Sequence, residues 1–163
     1  MARRSPRAIR PQRSKRKAAP AAPPLDSLRY IESSALLSAL LEREPGVIAS
    51  LRAGGWLVTS TLTVAEASRA IIRARVSGRL TAAQEAAAAR GLRTFQRRCA
   101  IVAVTDGVLT RAGRRFPVEP IRTLDAVHLA TIEMLGETPP LMTVVTGDDR
   151  IRDNARAMGY AII

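Results

Sequence analysis

The chain has 163 residues, 47% of them apolar and only 3% aromatic, with a formal charge of +12. That length fits one domain of ordinary size, with an aliphatic core and no aromatic platform on which bases could stack. Its single cysteine, Cys99, excludes an internal disulfide and any thiolate-based metal site, and favours a reducing, cytoplasmic setting.

The charge is unevenly placed. Residues 1–24 carry Arg3, Arg4, Arg7, Arg10, Arg13, Lys15, Arg16 and Lys17 and no acid, which leaves +4 of the +12 for residues 25–163. Such a segment attracts phosphate backbones without sequence choice. It ends in Ala-Pro-Ala-Ala-Pro-Pro, the composition of an extended linker, so residues 1–24 are expected to form a disordered basic tail. A translation start placed too far upstream is an alternative. No apolar stretch follows the basic residues, which excludes a secretory signal. The Arg-rich, acid-poor composition also fits a transit peptide, but the prolines count against an amphipathic helix. No run of about 18 apolar residues occurs that could span a membrane.

From residue 25 onward the predicted elements alternate. Leu28–Ile31 reads as a short strand. Ser33 or Ser34 caps a helix to about Glu42, Pro45-Gly46 breaks it, and a second helix runs to Arg52. Gly54-Gly55 turns into a strand over Trp56–Thr59. Thr63-x-x-Glu66 has capping-box spacing and opens a helix to about Val76. Thr81 starts an Ala-rich helix to about Arg98. A strand over Ile101–Val104 and a helix over Asp106–Arg114 follow. Thr123 caps a helix to about Leu135, closed by Gly136 and Pro139-Pro140. Leu141–Val145 is a strand, Asp148–Met158 a helix and Tyr160–Ile163 a last strand.

Short apolar strands separated by helices give an α/β fold, a three-layer α/β/α arrangement around a mostly parallel sheet of four to five short strands. Sites in such sheets form beyond the carboxyl ends of the strands. Glu32 directly follows the first strand, and Asp148 lies just past the strand that ends at Val145. Glu66 and Asp125 sit early in helices that are otherwise apolar. Each acid has a plain alternative: Glu66 completes a capping box, Asp125 favours its helix N-terminus, and Asp148 and Asp149 cap the helix after them. Four acids converging on one sheet edge, however, repel one another, and a divalent cation removes that cost. Carboxylate oxygens point to Mg²⁺ or Mn²⁺ rather than zinc. No P-loop and no Gly-rich dinucleotide signature occurs.

Tyr30-Ile31-Glu32-Ser33-Ser34-Ala35-Leu36, the Ala65-Glu66 step, Arg122-Thr123-Leu124-Asp125-Ala126-Val127-His128-Leu129-Ala130 and Val145-Thr146-Gly147-Asp148 resemble, in that order, the motifs of VapC-type PIN-domain toxins of type II toxin–antitoxin systems. The third is the most specific, the second weak by itself. The resemblance covers about residues 28–163 and makes residues 25–163 a PIN-like nuclease domain. It implies a Mg²⁺- or Mn²⁺-dependent endoribonuclease that cuts RNA, a homodimer, and a cognate antitoxin that inserts a segment near the site. It assigns the catalytic, metal-holding acids to Glu32, Glu66, Asp125 and Asp148, and a small hydroxyl residue to Ser34. The chain departs from the pattern at Glu32, where the family usually has Asp. The longer side chain alters the reach of the carboxylate, and Mg²⁺ demands near-ideal geometry. A catalytically weakened PIN-like domain acting as a binding module is the alternative.

Arg122, just before Asp125, is the candidate for a phosphate contact, against the alternative of a solvated surface arginine. Arg69, Arg73 and Arg75 form a basic face after Glu66. His128, one helical turn from Asp125, either orients a ligand or simply packs, and its apolar neighbours favour packing. Asp149 rivals Asp148, but the Thr146-x-Asp148 spacing favours Asp148 and leaves Asp149 to solvent and Arg152.

Overall fold

The computed structural model describes residues 28–163. The basic tail expected over residues 1–24 lies outside them. Five strands form one parallel sheet: β1 (Leu28–Ile31), β2 (Trp56–Ser60), β3 (Ala100–Val102), β4 (Met142–Val145) and β5 (Ala161–Ile162), in the order β3-β2-β1-β4-β5. Seven α-helices connect and cover it: α1 (Ser33–Leu37), α2 (Pro45–Arg52), α3 (Thr61–Val76), α4 (Ala82–Gln96), α5 (Asp106–Ala112), α6 (Thr123–Met134) and α7 (Asp149–Ala157).

The two-residue period of the strands sorts the core into two layers. Tyr30, Val58 and Val144 pair across β1, β2 and β4 and pack with Val108 of α5, Leu129 and Ile132 of α6, and Ile151 and Ala155 of α7. On the other face, Ile31, Leu57 and Val145 pack with Leu36 of α1, Ile71 of α3 and Leu92 and Phe95 of α4. The result is the expected α/β/α sandwich.

Chain order reverses at the centre of the sheet. From β1 the chain runs outward through β2 and β3, then crosses over to β4 on the far side of β1. The switch point therefore lies between the carboxyl ends of β1 and β4, where a crevice opens in folds of this kind. Glu32 and the Thr146–Asp148 segment leave the sheet at that place.

Several helix starts differ from the sequence expectation. The helix after β2 begins at Thr61 rather than Thr63, because Ser60, with extended backbone at the strand end, takes the cap and accepts the Thr63 N–H at 3.2 Å. Glu66 thus lies in the second turn and is not part of a capping box. A genuine reciprocal capping box joins Thr81 and Gln84. Glu32 itself caps α1, in place of Ser33 or Ser34, and Arg122 rather than Thr123 occupies the N-cap position of α6, without a side-chain bond. The expected single helix to Glu42 loosens into a π-turn over Ser38–Glu42, and Arg43 ends it in the left-handed region at φ 59°. β3 stops at Val102, two residues before the apolar run ends, since it is a short edge strand with Ala100 and Ile101 exposed.

Candidate active site

The four acids singled out by the sequence line one open cleft of about 520 Å³ at the switch point, together with Ser33, Ser34, Leu37, Ala65, Leu124 and His128. Arg69 and Arg73 of α3 stand on the same cleft. Each acid arrives by a different route. Glu32 is the first residue past β1. Glu66 projects from the second turn of α3. Asp125 lies in the first turn of α6, and Asp148 is the N-cap of α7.

Glu32 is buried, and its carboxylate is surrounded by donors. Oε1 accepts the Ser33 hydroxyl at 2.6 Å. Oε2 accepts the Ser34 backbone N–H at 3.0 Å, the Thr146 hydroxyl at 2.9 Å and the Ser34 hydroxyl. A carboxylate offers about two lone-pair sites on each oxygen, so the three donors crowd Oε2 while Oε1 keeps a site open. Ser34 in turn accepts the Gly147 N–H at 2.7 Å, which ties the end of β4 to the start of α1. The side chain thereby bends back over its own helix, and the extra methylene is taken up in that curl.

Asp125 is the opposite case. It is half-buried, and its Oδ2 is fully enclosed with no hydrogen-bond partner among the described residues. Burial, then the charge of Asp148 and that of Glu32, push its pKa up, against the pull of Arg122. Asp148 accepts the N–H groups of Arg150 and Ile151, at 2.8 and 3.2 Å. Both bonds run to Oδ1, so capping engages one oxygen of the carboxylate. The helix-capping alternative for Asp148 is therefore correct and does not remove it from the cleft. Asp149 is exposed and paired with Arg152, as expected.

Glu66 is bound through Oε2 to His128 Nε2 at 2.8 Å. Burial works to raise its pKa, but the hydrogen bond and charge of His128, with help from Ser33 and Arg73, outweigh it and hold Glu66 in the ionised form. His128 is buried beneath the cleft, and its Nδ1 lies 3.0 Å from the Tyr30 hydroxyl. Ligand atoms of Glu32, Glu66 and His128 all fall within 4.8 Å of one another.

The cleft brings together the four acids and Ser34 named from the sequence, and two further residues that the sequence reading did not single out support it. Thr146 is the hydroxyl that locks Glu32, and its signal was a threonine directly after an apolar strand. Tyr30 shares a strand face with Glu32, two residues on, and reaches His128 by the same alternation. Arg122 is exposed at the mouth of α6 and its charge is felt at Asp125.

A PIN domain family model matches residues 29–157. The chain belongs to the PIN-domain family. Two relatives from Mycobacterium tuberculosis are ribonuclease VapC35, 34% identical over 143 residues, and ribonuclease VapC46, 38% identical over 137 residues. Each alignment covers 82% of this chain, with 94% of VapC35 and 95% of VapC46. Among solved structures, the fold is similar to VapBC2 of Rickettsia felis bound to a promoter DNA fragment, with a TM-score of 0.60 at 11% identity over 83% of this chain and 97% of that one. It is also similar to VapC20 of M. tuberculosis, a sarcin–ricin-loop-cleaving toxin, with a TM-score of 0.57 at 13% identity over 82% and 96%. These structures speak for the PIN fold. In this PIN domain, the motifs seen in the sequence are the ones that meet at the switch point.

Proposed function

We propose that this PIN domain is the toxin of a toxin–antitoxin pair and cuts RNA phosphodiester bonds with a divalent cation held in the carboxylate cleft. The observation that carries this reading is Asp125 Oδ2, an enclosed carboxylate oxygen with no partner among the described residues, in a cleft shared with three further acids. A buried anionic oxygen left bare is costly, and a cation supplies what the protein does not. The relatives named as VapC ribonucleases support the same activity.

The donor set is carboxylate oxygen, since both nitrogens of His128 are already engaged by Tyr30 and Glu66. Oxygen donors suit Mg²⁺ or Mn²⁺. Asp125 and Asp148 would hold the ion, with Glu66 beside them and Glu32 acting from within its cage of hydroxyls. When bound, such an ion neutralises charge on the phosphate and acidifies a water. Glu66, kept ionised, is placed to accept a hydrogen bond from an attacking water and orient it. Arg69 and Arg73 on the wall, and Arg122 at the mouth, present guanidinium groups to a phosphate backbone. The same reading carries a cognate antitoxin and a homodimer, as the VapC resemblance implies, and a cytoplasmic setting, which the single cysteine favours. No helix among the described residues is long and apolar enough to cross a membrane.

A second reading, a PIN-like module that binds RNA or protein without cutting it, draws on one observation: the Glu32 carboxylate is held by four protein donors, three on Oε2 and one on Oε1. Incubating the purified full-length chain with RNA and Mn²⁺ or Mg²⁺, with and without chelator, separates the two. Metal-dependent cleavage is expected, and Asp125→Asn and Asp148→Asn should each lower it by at least about 100-fold, the equivalent of a few kcal/mol of charge stabilisation. Cleavage that survives both changes would overturn the assignment, and a wild-type chain that binds RNA but never cuts it would favour the module.

A further inference from the structure

His128 is the only histidine of the chain, and it is 1% exposed. Packing was the expectation, yet neither ring nitrogen faces apolar surroundings. Nδ1 lies 3.0 Å from the Tyr30 hydroxyl and Nε2 2.8 Å from Glu66 Oε2. Glu32 Oε1 stands 3.7 Å from Nε2, too far for a good hydrogen bond, and is taken by Ser33. The three groups come from β1, α6 and α3, elements far apart in sequence that meet only here.

The direction of the contact follows from its chemistry. An ionised carboxylate only accepts, so Nε2 must carry a proton and donate it. The neutral ring protonated at Nε2 and the imidazolium both satisfy this, and the neutral ring protonated at Nδ1 does not. On the far side the Tyr30 hydroxyl can donate or accept, so it suits either allowed form. It also fixes the ring plane, because turning the ring over would put carbon atoms where both partners need nitrogen. Tyr30 is fully buried, which makes it a rigid anchor. Glu66, by contrast, keeps 25% of its side chain exposed, and a partly exposed glutamate has several rotamers open to it. The bond from a rigid buried donor selects one of them.

We propose that His128, seated by Tyr30, is a positioning residue of the site: its Nε2–H holds the Glu66 carboxylate toward the cleft. The inference rests on the nuclease reading of that cleft for its consequence, but the contact itself can be tested independently. The chain's single histidine gives a single imidazole in a ¹H–¹⁵N NMR spectrum of the untagged, metal-free protein. A protonated Nε2 with a slowly exchanging hydrogen-bonded proton is expected, and a ring with bare Nε2 overturns the proposal.

The consequence for metal is read by Mn²⁺ titration, followed by the EPR signal of the free ion. His128→Leu keeps bulk and removes the donor, and should weaken Mn²⁺ binding by about 10- to 100-fold, the usual effect of losing an outer-shell partner. His128→Gln returns an N–H near the Nε2 position and should recover affinity to within about 5-fold of wild type, with kcat recovering more than KM changes. Tyr30→Phe should fall between the two. His128→Leu that binds Mn²⁺ as tightly as wild type overturns the proposal, and so does His128→Gln as weak as His128→Leu. If His128→Leu does not fold, Tyr30→Phe decides: wild-type Mn²⁺ affinity with a freely exchanging Nε2–H would rule the relay out. A wild-type chain that binds no Mn²⁺ removes the metal reading of the cleft, and the NMR result still decides the contact.

Discussion

Glu32 illustrates how one methylene is accommodated at a crowded strand end. A side chain longer than aspartate cannot sit in the same place with the same partners. Here it folds back, caps α1 through the Ser34 N–H, and collects the hydroxyls of Ser33, Ser34 and Thr146. The carboxylate then has two roles, since it pins β1 to the end of β4 and adds negative charge to the cleft. Glu32→Gln separates them. The amide nitrogen would face donors where an oxygen had accepted, which should cost about 1–3 kcal/mol in urea unfolding and lower cleavage as well. Glu32→Asp keeps the charge and the favoured N-cap chemistry, so cleavage should hold or rise. A Glu32→Gln chain that is as stable and as active as wild type would remove the residue from both roles. The identity of this acid was plain in the sequence. Its confinement was not, because Thr146 lies 114 residues away and only the pairing of β1 with β4 brings the two together.

Among the elements, α6 matters most to the site, and its entry is fixed from outside. The loop that precedes it is held by Asn154 of α7, a buried residue whose side-chain amide donates to the Val118 carbonyl and whose oxygen accepts the Val118 N–H, both at 2.9 Å. Glu119 adds bonds from the N–H groups of Phe116 and Ile121. Asn154→Ala would strand two backbone groups at Val118. A loss of about 1–3 kcal/mol in urea unfolding is expected, together with weaker metal-dependent cleavage, because Arg122 and Asp125 follow the loop. Unchanged stability would show that water replaces the amide without cost. The α/β alternation and the carboxyl-end rule were legible from Leu28–Ile31, Leu141–Val145 and the acids beyond them, since both depend on local pattern. The start of α3 was not. Thr63-x-x-Glu66 and Ser60-x-x-Thr63 both offer a hydroxyl three residues ahead of a helical amide. Only the extended backbone at the end of β2 decides for Ser60, and it thereby frees Glu66 for His128.

At the scale of the whole molecule, the cleft sets function against stability. The sheet brings four acids to one edge, and Asp125 bears the consequence, with its pKa raised by burial, by Asp148 and by Glu32. A carboxyl whose folded pKa lies above its unfolded value favours folding while protonated, and that contribution is lost as pH rises through the folded value. At neutral pH without metal, ionised Asp125 therefore opposes folding. Replacing it with Asn removes the charge, so in chelator at pH 7 Asp125→Asn should melt at the same temperature as wild type or higher. Saturating Mn²⁺ reverses the order. A ligand that binds only the folded state stabilises it by about 2.7 kcal/mol at a hundred times its Kd, and the wild type should take up that gain while Asp125→Asn loses most of it. The two melting temperatures are then expected to cross between chelator and Mn²⁺. Wild type melting well above Asp125→Asn in chelator would mean that the Asp125 carboxylate stabilises the fold without metal. Equal gains from Mn²⁺ would place the ion elsewhere, and the bare Oδ2 would then need another partner.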